Sequence, residues 1–397
     1  MDGDRRSWPR CLLAGAVFVV CMAGTTLPTP LYPLYQAEFG FSELTVTVVY
    51  AVYAFGVMGV LLLAGNASDT VGRRPALLWG LGFAAASAVC FLCADALGWL
   101  YAGRLLSGLS AGLFTGAATA YVMELAPPGG GPWATFVATA ANMGGLGCGP
   151  LLAGLLAQYA PAPLLLPFGV HLALVAVSAL LLLRLPETVG QRRPLTAVRP
   201  QRPALPAGVR PVFVPAAIAS FVGFALFGVF TSVSPAFLAR YLHVDNHAVS
   251  GLVVALAFFS STAGQLAVER VGVPRSLPVG CAVLFTGLVL LAAALHTDLL
   301  ALVVLSAVVG GTGQGLAFRA ALSAVAAAAP AERRAEVIST LFLVAYAGIS
   351  VPVIGVGLLA DPLGLEAAGL VFIACMLLLV TAAAAYLLRR PVRAGQS

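Results

Sequence analysis

The chain has 397 residues, of which 60% are hydrophobic and 9% charged, with a formal net charge of +6. A water-soluble globular surface carries about 25% charged residues, so a soluble fold is excluded. Apolar runs of about 20 residues recur along the whole length, each long enough to cross hydrocarbon as a helix. They are too continuously apolar for barrel strands of about ten alternating residues. In hydrocarbon, backbone N–H and C=O groups need partners within their own segment, so the composition predicts an all-α polytopic membrane protein. All 21 basic residues are arginine, and they gather in the short segments between apolar runs. That pattern reads as membrane topology and not as nucleic-acid contact. The seven cysteines, at 11, 21, 90, 93, 148, 281 and 375, lie within or beside apolar runs and are expected as small core residues. No metal-ligand spacing is present, and no cofactor is expected.

Arg5, Arg6 and Arg10 precede the first apolar run. No small-residue cleavage site follows, so this run is expected to be a retained first helix. Twelve spans are predicted in chain order. The first six cover 11–33, 44–64, 77–94, 97–126, 133–157 and 164–184. Glu38 and Glu43 fall in the first outer loop, and Asp95 marks the next outer turn. Pro127-Pro128 and the glycines 129–131 stop the fourth span. Residues 185–210 hold five prolines with Arg192, Arg193, Arg199, Arg202 and Arg210, and have no apolar period. They are expected to be a cytoplasmic linker between bundles at 1–184 and 211–397. The remaining spans cover 211–238, 247–268, 277–296, 299–328, 336–360 and 364–388, before a tail with Arg389, Arg390 and Arg393. With both termini inside, 18 of the 21 arginines are cytoplasmic. Arg240 is then outside, and Arg104 and Arg319 lie within spans.

The halves repeat each other. Asp69-Thr-Val-Gly72 matches Glu269-Arg-Val-Gly272; Gly108, Gly112 and Pro127 match Gly311, Gly315 and Pro330; Gly145 and Gly154 match Gly348 and Gly357. Matches in the same order predict a duplicated six-helix unit.

Between the second and third spans lies Gly65-Asn-Ala-Ser-Asp69-Thr-Val-Gly72-Arg73-Arg74-Pro75. Gly65 and Gly72 permit tight turns, Asp69 can cap a helix end, and Arg73 and Arg74 hold this end on the cytoplasmic side. The stretch resembles the signature loop between helices 2 and 3 of the major facilitator superfamily, departing from it at Ala67 and Thr70. Arg104, followed by Gly108, Gly112 and Gly116, resembles that superfamily's motif in helix 4, implicated in proton coupling in drug:proton antiporters. Gly145-x-x-x-Gly149-Pro150-x-x-x-Gly154 resembles the helix 5 motif of antiporter members, with Ala153 where a glycine is usual. Independently of any resemblance, Pro150 removes a helical hydrogen bond and predicts a hinge.

The resemblance implies twelve transmembrane helices in two pseudo-symmetric six-helix bundles. It also implies a secondary transporter in the plasma (inner) membrane that alternates access to a midplane site. Gly65, Asp69, Gly72, Arg73, Arg74 and Glu124 would form a conformational latch; an ordinary interfacial acid is the plain alternative for Glu124. Glu187, in Leu185-Pro-Glu-Thr188, resembles a common ending of helix 6. The cavity would be lined by Thr25, Thr26, Thr29, Tyr32, Ser107, Thr231, Ser232, Gln314 and Arg319. Arg104, His171 and Asp95 are the coupling candidates, with Glu38 and Glu43 near the outer face. The alternatives are an Arg104 that snorkels to the headgroups and a His171 that merely packs. The lack of a mid-span carboxylate disfavours a strictly cationic substrate; a neutral or anionic amphiphile suits two intramembrane arginines. The expected activity is proton-coupled efflux of a small organic compound by a monomer, the alternative being proton-symport uptake. No phosphate loop, HExxH motif or nucleophile elbow is present, so no enzymatic activity is expected.

Overall fold

The computed structural model describes residues 7–198 and 200–389. The expectations placed on Arg5, Arg6, Arg199, Arg390 and Arg393 therefore lie outside the described residues. Every regular element among the described residues is helical, and twelve spans are long and apolar enough to cross a membrane.

The first span is broken. Helix α1 (Ser7–Thr26) ends before Pro28, a 3-10 turn covers Thr29–Leu31, and α2 covers Tyr32–Phe39. Prolines recur at 28, 30 and 33, and each lacks the N–H that an uninterrupted helix requires. Glu38 is consequently on α2 and not in the expected outer loop, while Glu43 opens α3 (Glu43–Ala64). A short helix, α4 (Ala67–Val71), then fills much of the segment expected to be a loop. The third span, α5 (Arg73–Leu92), begins four residues earlier than expected. Pro75 sits in its first turn, where the missing N–H would have had no partner anyway. Arg73 and Arg74 thus belong to a helix and not to a loop.

Helices α6 (Leu97–Leu125), α7 (Gly131–Tyr159) and α8 (Leu166–Arg184) follow close to expectation. The seventh span is broken like the first, into α9 (Arg210–Ser232) and α10 (Ser234–Arg240), with Pro235 in the first turn of the second piece. The rest are α11 (His247–Val271), α12 (Val273–Thr297), α13 (Leu300–Ala328), α14 (Arg334–Leu363) and α15 (Leu365–Arg389).

The chain divides into two compact units, residues 1–39 with 52–201, and 40–51 with 202–397. Within the first, α1 packs on α6 and α7, and α5 packs on α6 and α8. Within the second, α9 packs on α13 and α14, and α12 packs on α13 and α15. The same pairing recurs in the same chain order, as duplication requires. Glycines set the closest approaches. At Gly108 an added Cβ would run into the carbonyl oxygen of Tyr53, and at Gly311 into that of Ala257. Residues 185–201 count with the first unit, where Arg193 N donates to Thr70 O at 2.7 Å and Gln201 N to Leu62 O at 2.7 Å.

Not all the cysteines are core residues: Cys93 and Cys375 are exposed and Cys148 is half-buried, while Cys11, Cys21, Cys90 and Cys281 are buried. A spanning helix is apolar on its outward side as well as its packed side, so an apolar neighbourhood in sequence does not decide burial.

Overpacking a close helix crossing costs about 1–3 kcal/mol. Gly108→Leu and Gly311→Leu should each lower the thermal midpoint of the detergent-solubilised protein measurably. Gly116→Leu, where an added Cβ meets nothing within 4 Å, should leave the midpoint close to wild type.

Candidate functional site

At the start of α5 the Arg73 guanidinium gathers two carboxylates, Asp69 and Glu124. Its Nη1 pairs with Asp69 Oδ1 at 2.5 Å and donates to Ser68 Oγ at 2.8 Å. Its Nε and Nη2 donate to Glu124 Oε1 at 3.2 and 2.9 Å. Glu124 Oε2 also accepts the Thr188 hydroxyl at 2.5 Å. The Arg73 side chain is only 12% exposed against 61% for Asp69, so the guanidinium is the enclosed hub and Asp69 its outer partner. Asp69 caps no helix end: it lies in the first turn of α4, whose cap position is Asn66.

A third carboxylate completes the cluster. Glu187 accepts the backbone N–H of Arg73 at 2.9 Å and of Arg74 at 3.1 Å, the first two unpartnered donors of α5. It also accepts Thr188 N and Val189 N and faces Arg192 at 3.5 Å. A carboxylate at a helix N-terminus is favoured by both the free N–H groups and the helix dipole. Glu187 therefore caps α5 from a segment more than a hundred residues later. Two neighbours hold that segment in place: Arg74 Nη1 donates to Leu185 O at 3.3 Å, and Tyr121 OH to Pro186 O at 2.5 Å. Gly72 is required twice over. Its φ is +113°, and a Cβ there would sit 2.6 Å from Glu187 Oε2. Gly65 is likewise crowded, by Leu61 O and Gln201. In sequence Glu187 had only the Leu185-Pro-Glu-Thr188 pattern to signal it, and nothing indicated which helix it serves.

Deeper in the same unit, Arg104 on α6 is 1% exposed, so it does not snorkel to headgroups. Its Nη1 donates to Thr25 O at 2.5 Å, and its guanidinium carbon lies 4.8 Å from the centre of the Tyr53 ring. The carbonyl is available because α1 stops at Thr26, which leaves its last C=O groups without helical partners and at the negative end of the helix dipole. The end of α1 at Thr26 thus supplies the acceptor that Arg104 uses.

Pro150 lies inside α7, which runs through it without a break. Lacking an N–H, it frees the carbonyl four residues earlier, that of Leu146. The Thr26 hydroxyl donates to that carbonyl at 2.6 Å. Gly145 and Gly149 let α1 approach: added Cβ atoms would meet Val19 O and Ala23 O. Gly154, one turn further on, is buried.

The remaining expected residues are dispersed. Thr29, Tyr32 and Ser107 are buried, and the Tyr32 and Ser107 hydroxyls find no hydrogen-bond partner among the described residues. His171 on α8 is 3% exposed, and an added Cβ at Gly24 would collide with its ring. Asp95 and Glu38 are exposed. In the second unit Thr231 and Ser232 are buried with hydroxyls turned back on their own helix, to Phe227 O and Gly228 O, each at 2.7 Å. Gln314 Oε1 accepts the Ser261 hydroxyl at 2.6 Å, and Arg319 is half-buried. Also in that unit, Glu43 is buried and pairs with Arg240 at 2.5 Å. Among the described residues no group of three or more His, Cys, Asp and Glu could hold a metal ion.

Loss of a helix N-cap costs about 0.5–2 kcal/mol. Glu187→Ala should lower the thermal midpoint by a corresponding amount, with Glu187→Gln intermediate because one amide oxygen can still accept. Thr26→Val should lose about 0.6–1.7 kcal/mol, the range for interhelical hydrogen bonds in a bilayer. In a Pro150→Ala background the same change should be milder, because the Leu146 carbonyl regains its helical partner; guanidinium or thermal melts of the four proteins check it.

The Major Facilitator Superfamily model matches residues 13–351. The chain is 34% identical over 157 residues to the puromycin resistance protein pur8 of Streptomyces alboniger, covering 39% of this chain and 31% of that protein. The match thus spans about a third of that relative's length. It is 28% identical over 280 residues to YceJ, an uncharacterised MFS-type transporter of Bacillus subtilis, covering 68% of this chain and 70% of that one. Its fold is similar to the inward-facing crystal structure of a bacterial homologue of the human lysosomal transporter Spinster, with a TM-score of 0.72, 16% identity, and coverage of 97% and 98% of the two chains. With twelve apolar helices, no strands among the described residues and a family match over most of its length, this chain belongs to the major facilitator superfamily and is a multi-pass membrane transporter.

Proposed function

We propose that this protein exports a small organic compound by alternating access, driven by inward flow of protons. The observation that carries the direction is the α1–α7 joint. There Gly145, Gly149 and Pro150 let two helices touch along their backbones, and Thr26 takes up the carbonyl that Pro150 frees. This is the stretch that resembles the antiporter motif, and the similarity to a resistance protein agrees with it. The substrate class is a neutral or anionic amphiphile, since Arg104 and Arg319 bring positive charge into the spans and no carboxylate lies mid-span. Asp69, Arg73 and Glu124, with Gly65, Gly72 and Arg74 shaping the turn, act as a latch whose charge pairs bias a conformational equilibrium. Both termini are cytoplasmic, and the protein works as a monomer in the plasma membrane.

A susceptibility screen comparing a deletion strain with an overexpressing one identifies the compound. In everted vesicles the transporter should then accumulate that compound when a proton gradient is imposed. Proton-linked loss from preloaded everted vesicles would instead establish uptake by symport. Asp69→Asn should abolish transport while membrane insertion is retained, and wild-type flux in that variant would remove the latch. Arg104→Ala should reduce proton-linked flux by at least tenfold.

A further inference from the structure

Between α1, α5, α6 and α8, inside the first unit, lies a cavity of about 10 Å³, lined by Cys21, Thr25, Ser107, Ser110 and His171, with Phe168 as its aromatic wall. That volume is about one water, and nothing organic fits it. Most of the polar liners already have partners. Thr25 donates to Met22 O at 2.8 Å, Ser110 donates to Gly80 O at 2.8 Å, and Cys21 Sγ lies 3.2 Å from Ser110 Oγ. Two do not: Ser107 Oγ on α6 and His171 Nδ1 on α8 are buried and have no hydrogen-bond partner among the described residues. Gly24 provides the slot for the imidazole, because any Cβ there would strike the ring.

We propose that this cavity is a built single-water site, in which one water bridges Ser107 Oγ and His171 Nδ1. Polar atoms on two different helices and a volume of one water are what an integral water requires. No carboxylate lines the space, so a metal cation would have no counter-charge there. The bridge ties α8 to α6 one helical turn from Arg104, and Thr25, whose carbonyl holds Arg104, also lines the cavity. The inference rests on the cavity and its two unpartnered atoms, and is independent of the direction of transport.

The test is X-ray hydroxyl-radical footprinting of the full-length protein in nanodiscs, read by mass spectrometry. A bound water generates radicals in place, so Phe168 should be oxidised severalfold faster than Phe18, which is equally buried but does not line the cavity. Thermal midpoints of Ser107→Ala, His171→Phe and the double variant supply a second readout. Each single change leaves one polar atom unpartnered, whereas the double change removes both. The double variant should therefore fall by clearly less than the sum of the singles. Labelling of Phe168 at the rate of Phe18, or additive losses in midpoint, overturns the proposal.

Discussion

Hydrocarbon offers no hydrogen bonds, so every backbone group that a proline or a helix end sets free must be met by protein. The first unit is organised by that demand. Prolines stop α1 at Thr26 and interrupt the bonding of α7 at Pro150, and the resulting carbonyls are answered by Arg104 and Thr26. An arginine within a span costs about 2.5–3.5 kcal/mol on insertion scales. A hydrogen bond to a charged group returns about 1.5–3 kcal/mol, and a desolvated cation–π contact about 2 kcal/mol. The buried arginine is thus near balance because of the broken helix it touches. The helix break and the charge explain each other.

At the cluster around Arg73, at the partly exposed end of a span, the protein likewise meets free backbone groups, but in the opposite sense. There the free groups are N–H donors at the start of α5, and the answer is the Glu187 carboxylate. Side chains of both signs then gather around a backbone feature: Glu187 on the donors, Arg73 between Asp69 and Glu124, Arg74 on a nearby carbonyl. A glycine with positive φ is the pivot that lets the carboxylate come close.

The duplicated units share helix pairing and glycine contacts, yet they do not share this cluster. Gly272 keeps the positive φ of Gly72, and α12 starts immediately after it, as α5 does after Gly72. An added Cβ at Gly272 would meet nothing within 4 Å, however, whereas at Gly72 it would press on Glu187. Among the described residues the second copy has the turn without a carboxylate pressed against it. Repeat matching points to a duplicated turn; the packing around it differs between the two copies.

Membrane class, the number of spans, their order and the duplication were legible in the sequence. Apolar length, arginine clustering and glycine spacing are local properties that the bilayer reads directly. Pro150 and Gly72 were legible as special positions for the same reason, since their backbone chemistry does not depend on neighbours. The fate of each freed carbonyl was not legible. Neither was the helix that Glu187 caps, nor whether Arg104 is buried or reaches the headgroups. These depend on which side chain from a distant segment arrives within about 3 Å, and only the packing of the helices sets that distance. Sequence by itself determined where the backbone would lack a hydrogen bond; tertiary structure decided which residue supplies it.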